Sequence, residues 1–170
     1  MFSPRSIRVL KSAHFSSEPL WARSHAGGLS QRAGLRYQAQ AQGLLRRTYE
    51  GASVVCSPWV KFIDECGHGY CQPDAYVYDT QDLTIFEIKL SHVDTAYAQL
   101  SLLYKPVLEH ILHPRTITLC EITRTYNPYT RNRVQPNIIF DLAHMAPERF
   151  NIFVWRPSAH EMLIQEALRA

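Results

Sequence analysis

The segment Leu83-Thr84-Ile85-Phe86-Glu87-Ile88-Lys89-Leu90 constrains this chain more than any other. Read as a strand, it presents Thr84, Phe86, Ile88 and Leu90 on one face and Leu83, Ile85, Glu87 and Lys89 on the other. Apolar side chains on both faces belong to a strand in the middle of a sheet, covered from two sides. The same strand therefore carries a carboxylate and an ammonium inward, where an ionised group is costly unless it is paired. Any fold adopted by this sequence has to satisfy those two charges.

The preceding run, Tyr70 to Tyr78, reads as a second strand, joined to the first by the polar turn Asp79-Thr80-Gln81-Asp82. A turn centred between Thr80 and Gln81 sets Asp74 directly opposite Glu87, with Cβ atoms roughly 4.5–5.5 Å apart. An odd-length loop would move this register by one. Lys89, two residues beyond Glu87, projects from the same face. Two opposed carboxylates repel, and three arrangements relieve that: a shared proton, an ion pair with Lys89, or a bound cation. The ion pair leaves the second acid without a partner. Hard cations such as Mg²⁺ or Mn²⁺ take oxygen ligands, commonly one or two carboxylates plus substrate phosphate.

Around this hairpin the pattern is helix, three strands, helix, strand, an α/β sandwich on a mixed sheet. Residues 1–29 lack periodicity and read as an arm or irregular lead-in, with residues 30–170 forming one domain. Ser30 to Tyr49 is helical, with Leu35, Ala39, Gln42, Leu45 and Tyr49 as its stripe and Arg36 elsewhere on the cylinder. Val54 to Ile63 is strand-like, with Pro58 marking an edge or bulge and Trp59 assigned to the core. Asp94 caps a helix running to about Leu112, kinked at Pro106. Thr116 to Thr123 returns parallel to the Leu83–Leu90 strand. Ile138 to Leu142 and Ile152 to Trp155 are late strands, and Ser158 to Leu168 is a final helix.

Charge is distributed unevenly although the net value is only +3. Residues 1–50 carry eight Lys/Arg against Glu18 and Glu50, whereas residues 64–94 carry seven acids against Lys89 alone. Fourteen of the eighteen basic residues are arginine, whose planar fork suits phosphate. A basic rim about an acidic centre suits a metal-using protein on nucleic acid, and resembles many solvated surfaces as well. The loop Arg124, Tyr126, Tyr129, Arg131, Arg133 mixes cations and aromatics, as contact with phosphates and unstacked bases requires, or is simply exposed and polar. Four cysteines without a CxxC pair, no apolar run near the roughly 18 residues of a membrane helix, and no leader-like N-terminus indicate an intracellular protein with reduced thiols and no membrane partner. Cys66, His68 and Cys71 could offer three zinc ligands, but the fourth is missing. His92 reads as a solvated turn histidine able to reach a phosphate.

Pro73-Asp74 followed by Glu87-Ile88-Lys89 resembles the PD-(D/E)xK nuclease superfamily, over about residues 30–125. The resemblance implies a restriction-endonuclease-like fold, a mixed sheet flanked by helices, and metal-dependent hydrolysis of phosphodiester bonds in DNA (RNA being the less favoured substrate) to products with a 5′-phosphate. Asp74, Glu87 and the carbonyl of Ile88 would hold Mg²⁺ or Mn²⁺, and Lys89 would position or deprotonate the attacking water. Arg36, Arg124, Arg131 and Arg133 are the candidate nucleic-acid contacts, with a homodimer or protein partner supplying specificity. Two positions depart from the family pattern. Gln38 stands where the leading helix often supplies a glutamate, which weakens a second metal site and favours the alternative of an inactive nuclease-fold binding or assembly factor. Gln99 and Tyr104 are five apart where related exonucleases have a four-residue spacing, which rotates them off a common helical face. Gln99 is therefore a candidate for substrate contact and Tyr104 for the core.

Overall fold

A computed structural model describes residues 5–24, 29–129 and 134–158. Its centre is β6 (Asp82–Ser91), the two-faced apolar strand, flanked by β5 (Ala75–Asp79) antiparallel and β7 (Thr116–Thr125) parallel. With β2 (Ser53–Cys56), β9 (Phe150–Val154) and β8 (Asn137–Ile139) they form a six-stranded mixed sheet of order β2-β5-β6-β7-β9-β8. The β5–β6 turn has Thr80 at φ 46° and Gln81 at φ 77°. Positive φ at both central residues is the hairpin geometry that matches strand twist. This two-residue loop sets the register, with Ala75 against Phe86 and Asp79 against Asp82, so Asp74 is one step beyond a pair that faces Phe86.

Two expected strands are each divided in the structure. Val54–Ile63 splits into β2 and β3 (Trp59–Asp64), which belong to different sheets. Ser57, at φ 51°, turns the chain between them, and Pro58 has no N–H with which to continue a ladder. Tyr70–Tyr78 likewise divides at Gln72-Pro73-Asp74 into β4 (Gly67–Cys71) and β5. β3 and β4 pair with each other and recruit β1 (Leu10–Ser16) into a three-stranded antiparallel sheet of order β1-β3-β4. The expectation of an irregular lead-in over residues 1–29 is thus corrected at Leu10–Ser16. That strand owes its conformation to pairing with β3, a long-range contact without a local signature. The Arg5 guanidinium ties the segment before it to the Asp64 carboxylate and to the carbonyls of Gly67 (3.1 Å) and His68 (3.2 Å).

Helix α1 (Leu29–Thr48) covers one face of the large sheet. Its buried line is Tyr37, Ala41 and Leu45, against Val77, Phe86, Ile88 and Ile122. Leu35, placed on the inner stripe from sequence, is 57% exposed. The other face is covered by α2 (Thr95–Gln99), a π-helical turn (Leu100–Tyr104) and α3 (Lys105–Leu112), where Leu100, Tyr104, Val107 and Leu108 pack on Leu83, Ile85 and Ile152. The kink expected at Pro106 takes the form of this widened turn. Proline cannot donate to the carbonyl four residues back and crowds it. The carbonyl thus left over, that of Leu102, accepts instead from the N–H of Ile7 at 2.9 Å. Asp94 occupies the N-cap position without a side-chain capping bond. Of the late strands, β8 is shorter than expected and gives way to a 3₁₀ turn at Leu142–His144, whereas β9 begins earlier, at Phe150. Beyond Ser158 the expected final helix is outside the described residues.

The β5–β6 turn stores strain, because Thr80 and Gln81 both adopt backbone that costs an L-residue with a Cβ roughly 1–2 kcal/mol. Replacing Thr80-Gln81 by Asn-Gly is expected to raise stability by about 1 kcal/mol. The check is a higher urea midpoint at unchanged m-value; an unchanged or lower midpoint contradicts it.

Candidate active site

Each candidate residue is placed by a different element. Asp74 follows Pro73 and is clamped before β5 begins. Its carboxylate accepts from the Ile88 N–H at 2.7 Å and from Gln38 Nε2 at 2.9 Å. Its carbonyl accepts from Ser57 N at 3.0 Å and Gln42 Nε2 at 2.8 Å. Ser57 is held in turn, its Oγ accepting from Gln42 at 2.9 Å and its carbonyl from Gln72 Nε2 at 3.0 Å. The α1 glutamines therefore fix the Asp74 loop, which makes Gln42 a positioning residue rather than a member of the apolar stripe.

Glu87 is buried from β6, and its carboxyl faces the Lys89 ammonium as an ion pair. Apart from this ion pair, neither Glu87 oxygen has a hydrogen-bond partner among the described residues. Burial, then the neighbouring Asp74, pushes Glu87 up to about 8. Burial also raises Asp74, against the Ile88 N–H and Lys89, which act in the opposite direction. For Lys89, burial alone would lower the ammonium pKa, but Glu87, Asp74 and Glu121 outweigh it and the net shift is upward.

Glu121 was not singled out from the sequence. It is fully buried on β7 and pairs in register with Glu87. Its Oε2 lies 2.6 Å from His92 Nδ1, while Oε1 has no hydrogen-bond partner among the described residues. Burial raises its pKa, with His92 opposing. Its place beside Glu87 follows only from the register of the parallel pair β6–β7. His92, read from sequence as a solvated turn residue, instead has its side chain buried against Glu121 and 5.2 Å from the Tyr126 ring.

The π-helical turn corrects the expectation that Gln99 and Tyr104 diverge. A turn closed five residues apart puts positions i and i+5 on one side. Gln99 Nε2 donates to the Tyr104 hydroxyl, and that hydroxyl donates to the Gln72 carbonyl at 3.2 Å. Tyr104 is both a core residue, as expected, and a brace for the Gln72-Pro73-Asp74 segment. Burial raises its pKa far above the ordinary tyrosine range, with Glu87 and Asp74 adding to the effect.

A cleft of about 290 Å³ opens over Asp74 and Lys89, lined also by Gln31, Gln38, Ile88 and Leu90 among others. Asp74 and Lys89 each keep part of their surface open to it. A larger cavity of about 560 Å³, between Tyr97 and Phe150, contains none of these groups. Among the described residues no cluster of three or more His, Cys, Asp or Glu side chains is arranged to hold a metal. Asp74 and Glu87 are two oxygen donors of the kind a hard cation takes, Glu87 having no hydrogen-bond partner among the described residues. Arg36 and Arg124 are exposed; Arg131 and Arg133 fall outside the described residues. No family model, curated protein or solved structure matches this chain.

Linkage gives the pH response of the metal-free protein. A carboxyl raised from 4.5 to about 8 binds its proton more tightly when folded. Its contribution to stability is therefore complete below pH 4.5 and lost as pH rises through 8. Thermal unfolding in chelator is expected to show the melting temperature falling between pH 5 and 8, and Glu87→Gln should flatten that fall. A profile equally steep in the variant contradicts the assignment.

Proposed function

We propose that this protein is a metal-dependent deoxyribonuclease with a restriction-endonuclease-like arrangement of its sheet. The observation carrying the reading is a grouping: Asp74 and Lys89 line an open cleft, and Lys89 is ion-paired to Glu87, a buried carboxylate without a hydrogen-bond partner among the described residues. Burial of that kind is costly in a purely structural role and useful where a cation and a substrate phosphate complete the site.

Asp74, Glu87 and the Ile88 carbonyl would hold Mg²⁺ or Mn²⁺. When bound, such an ion supplies Lewis-acid polarisation of the phosphoryl oxygen and lowers the pKa of a coordinated water. The chain's own groups do the rest. Gln38 and the Ile88 N–H keep Asp74 aimed at the cleft. Lys89, once Glu87 turns to the cation, is free to orient the attacking water and to stabilise charge on the scissile phosphate. Tyr104, braced by Gln99, holds the Gln72 backbone and with it the Asp74 loop. Arg36 and Arg124, both exposed, would supply phosphate contacts.

A second reading, a nuclease fold that binds nucleic acid without cutting it, rests on Gln38. Its amide donates to the same carboxylate that a cation would need. Cleavage of labelled DNA in Mn²⁺ separates the two. The enzyme reading expects activity in the wild type that drops at least about a hundredfold in Asp74→Ala and in Lys89→Ala. Binding without cleavage of duplex, single-stranded and branched DNA supports the second reading.

A further inference from the structure

We propose that the outer face of the small sheet β1-β3-β4 is a stacking platform for single-stranded nucleic acid. Register sets His14 beside Lys61 and Lys61 beside Tyr70, and places Trp59 beside Ser16 on the same face. Alternate residues Val60, Phe62 and Cys71 face inward and are buried in the core. Trp21, from the 3₁₀ turn Leu20–Ser24, stands edge-on to Trp59 (6.0 Å, 83°) and to Tyr70 (6.3 Å, 78°). Trp21 is 64% exposed and Tyr70 36%. The Lys61 ammonium lies 6.0 Å from the Tyr70 ring. Large aromatic rings gathered on an open sheet face mark an interaction surface.

The chemistry of the face selects its partner. It offers ring faces and cationic or neutral groups (Lys61, His14, His68), and none of the paired positions on it is a carboxylate. Asp64 points the other way, to Arg5, and the Glu65 carboxylate accepts from the N–H groups of Arg8 and Val9, each at 3.0 Å. Flat rings joined by anionic linkers match such a surface. A single strand presents its bases for stacking, whereas a duplex hides them. Position supports the choice. From Tyr70 the chain continues through Gln72-Pro73 to Asp74, four residues that span at most about 14 Å. The platform and Asp74 therefore lie within that distance of each other along the chain. Choosing nucleic acid over another anionic aromatic ligand rests on the proposed nuclease reading.

The test is binding of a short fluorescent oligothymidylate in chelator, to the wild type and to Trp21→Ala, Tyr70→Ala and Lys61→Ala, with melting temperatures confirming that each variant folds. Each aromatic variant is expected to bind roughly 5- to 100-fold more weakly. Lys61→Ala should reduce the salt dependence. The matching duplex should bind more weakly than the single strand and be indifferent to Trp21→Ala. Affinities unchanged in both aromatic variants would overturn the platform, even if the protein cuts DNA. Losses of affinity in a protein that no divalent ion makes active would keep the platform and sink the nuclease. Should Trp21→Ala instead turn a dimer into monomers with oligothymidylate affinity intact, the face is a contact between copies and the proposal fails.

Discussion

Three buried or half-buried carboxylates, Asp74, Glu87 and Glu121, surround one ammonium, Lys89, and the rest of the structure is arranged around that imbalance. One lysine cannot neutralise three acids in a medium where unpaired charge is expensive. The protein distributes the load. Asp74 takes a backbone N–H and an amide, Glu121 takes His92, and Glu87 takes Lys89 while its pKa rises to about 8. Glu87 is left with the poorest satisfaction of the three, having the Lys89 ion pair and no hydrogen bond among the described residues.

Backbone geometry makes this grouping possible. The two-residue turn at Thr80-Gln81 sets which residues of β5 and β6 oppose, and a slip of one residue would send Glu87 to the other face. Left-handed Ser57 lets the chain leave the large sheet, and the α1 glutamines hold the returning Asp74 loop from the opposite side. The π-helical turn before Pro106 lets Gln99 support Tyr104 against Gln72, and Ile7 satisfies the carbonyl that the proline leaves over. The small sheet is therefore tied to the same loop that presents Asp74.

Much of the site was legible in the sequence because it depends on local alternation. The period-two pattern of Leu83–Leu90, with a polar turn of definite length before it, sufficed to give the hairpin register that sets Ala75 against Phe86 and to make the strand central. The parallel return of Thr116–Thr123 followed from the helical crossover. What escaped depends on contacts remote in sequence. β1 acquires its conformation from β3. Residues 54–63 and 70–78 each look continuous, but a proline within each run marks a passage from one sheet to the other. Helix α1 turns Tyr37 inward and Leu35 outward because the Phe86–Ile122 surface of the sheet accepts Tyr37-Ala41-Leu45. Glu121 was missed because a lone acid in an apolar strand has no meaning until its neighbour is known.

Calorimetric titration of Mn²⁺ in buffers of different ionisation heat tests the cation seat most directly. Burial and Asp74 push the Glu87 pKa up to about 8, so seating an ion beside it near neutral pH is expected to release protons. The account requires a single saturable site that releases protons on binding at pH 7 and progressively fewer above pH 8, and that disappears in Asp74→Ala. Absence of binding, or binding that releases no proton and survives the loss of Asp74, would contradict it.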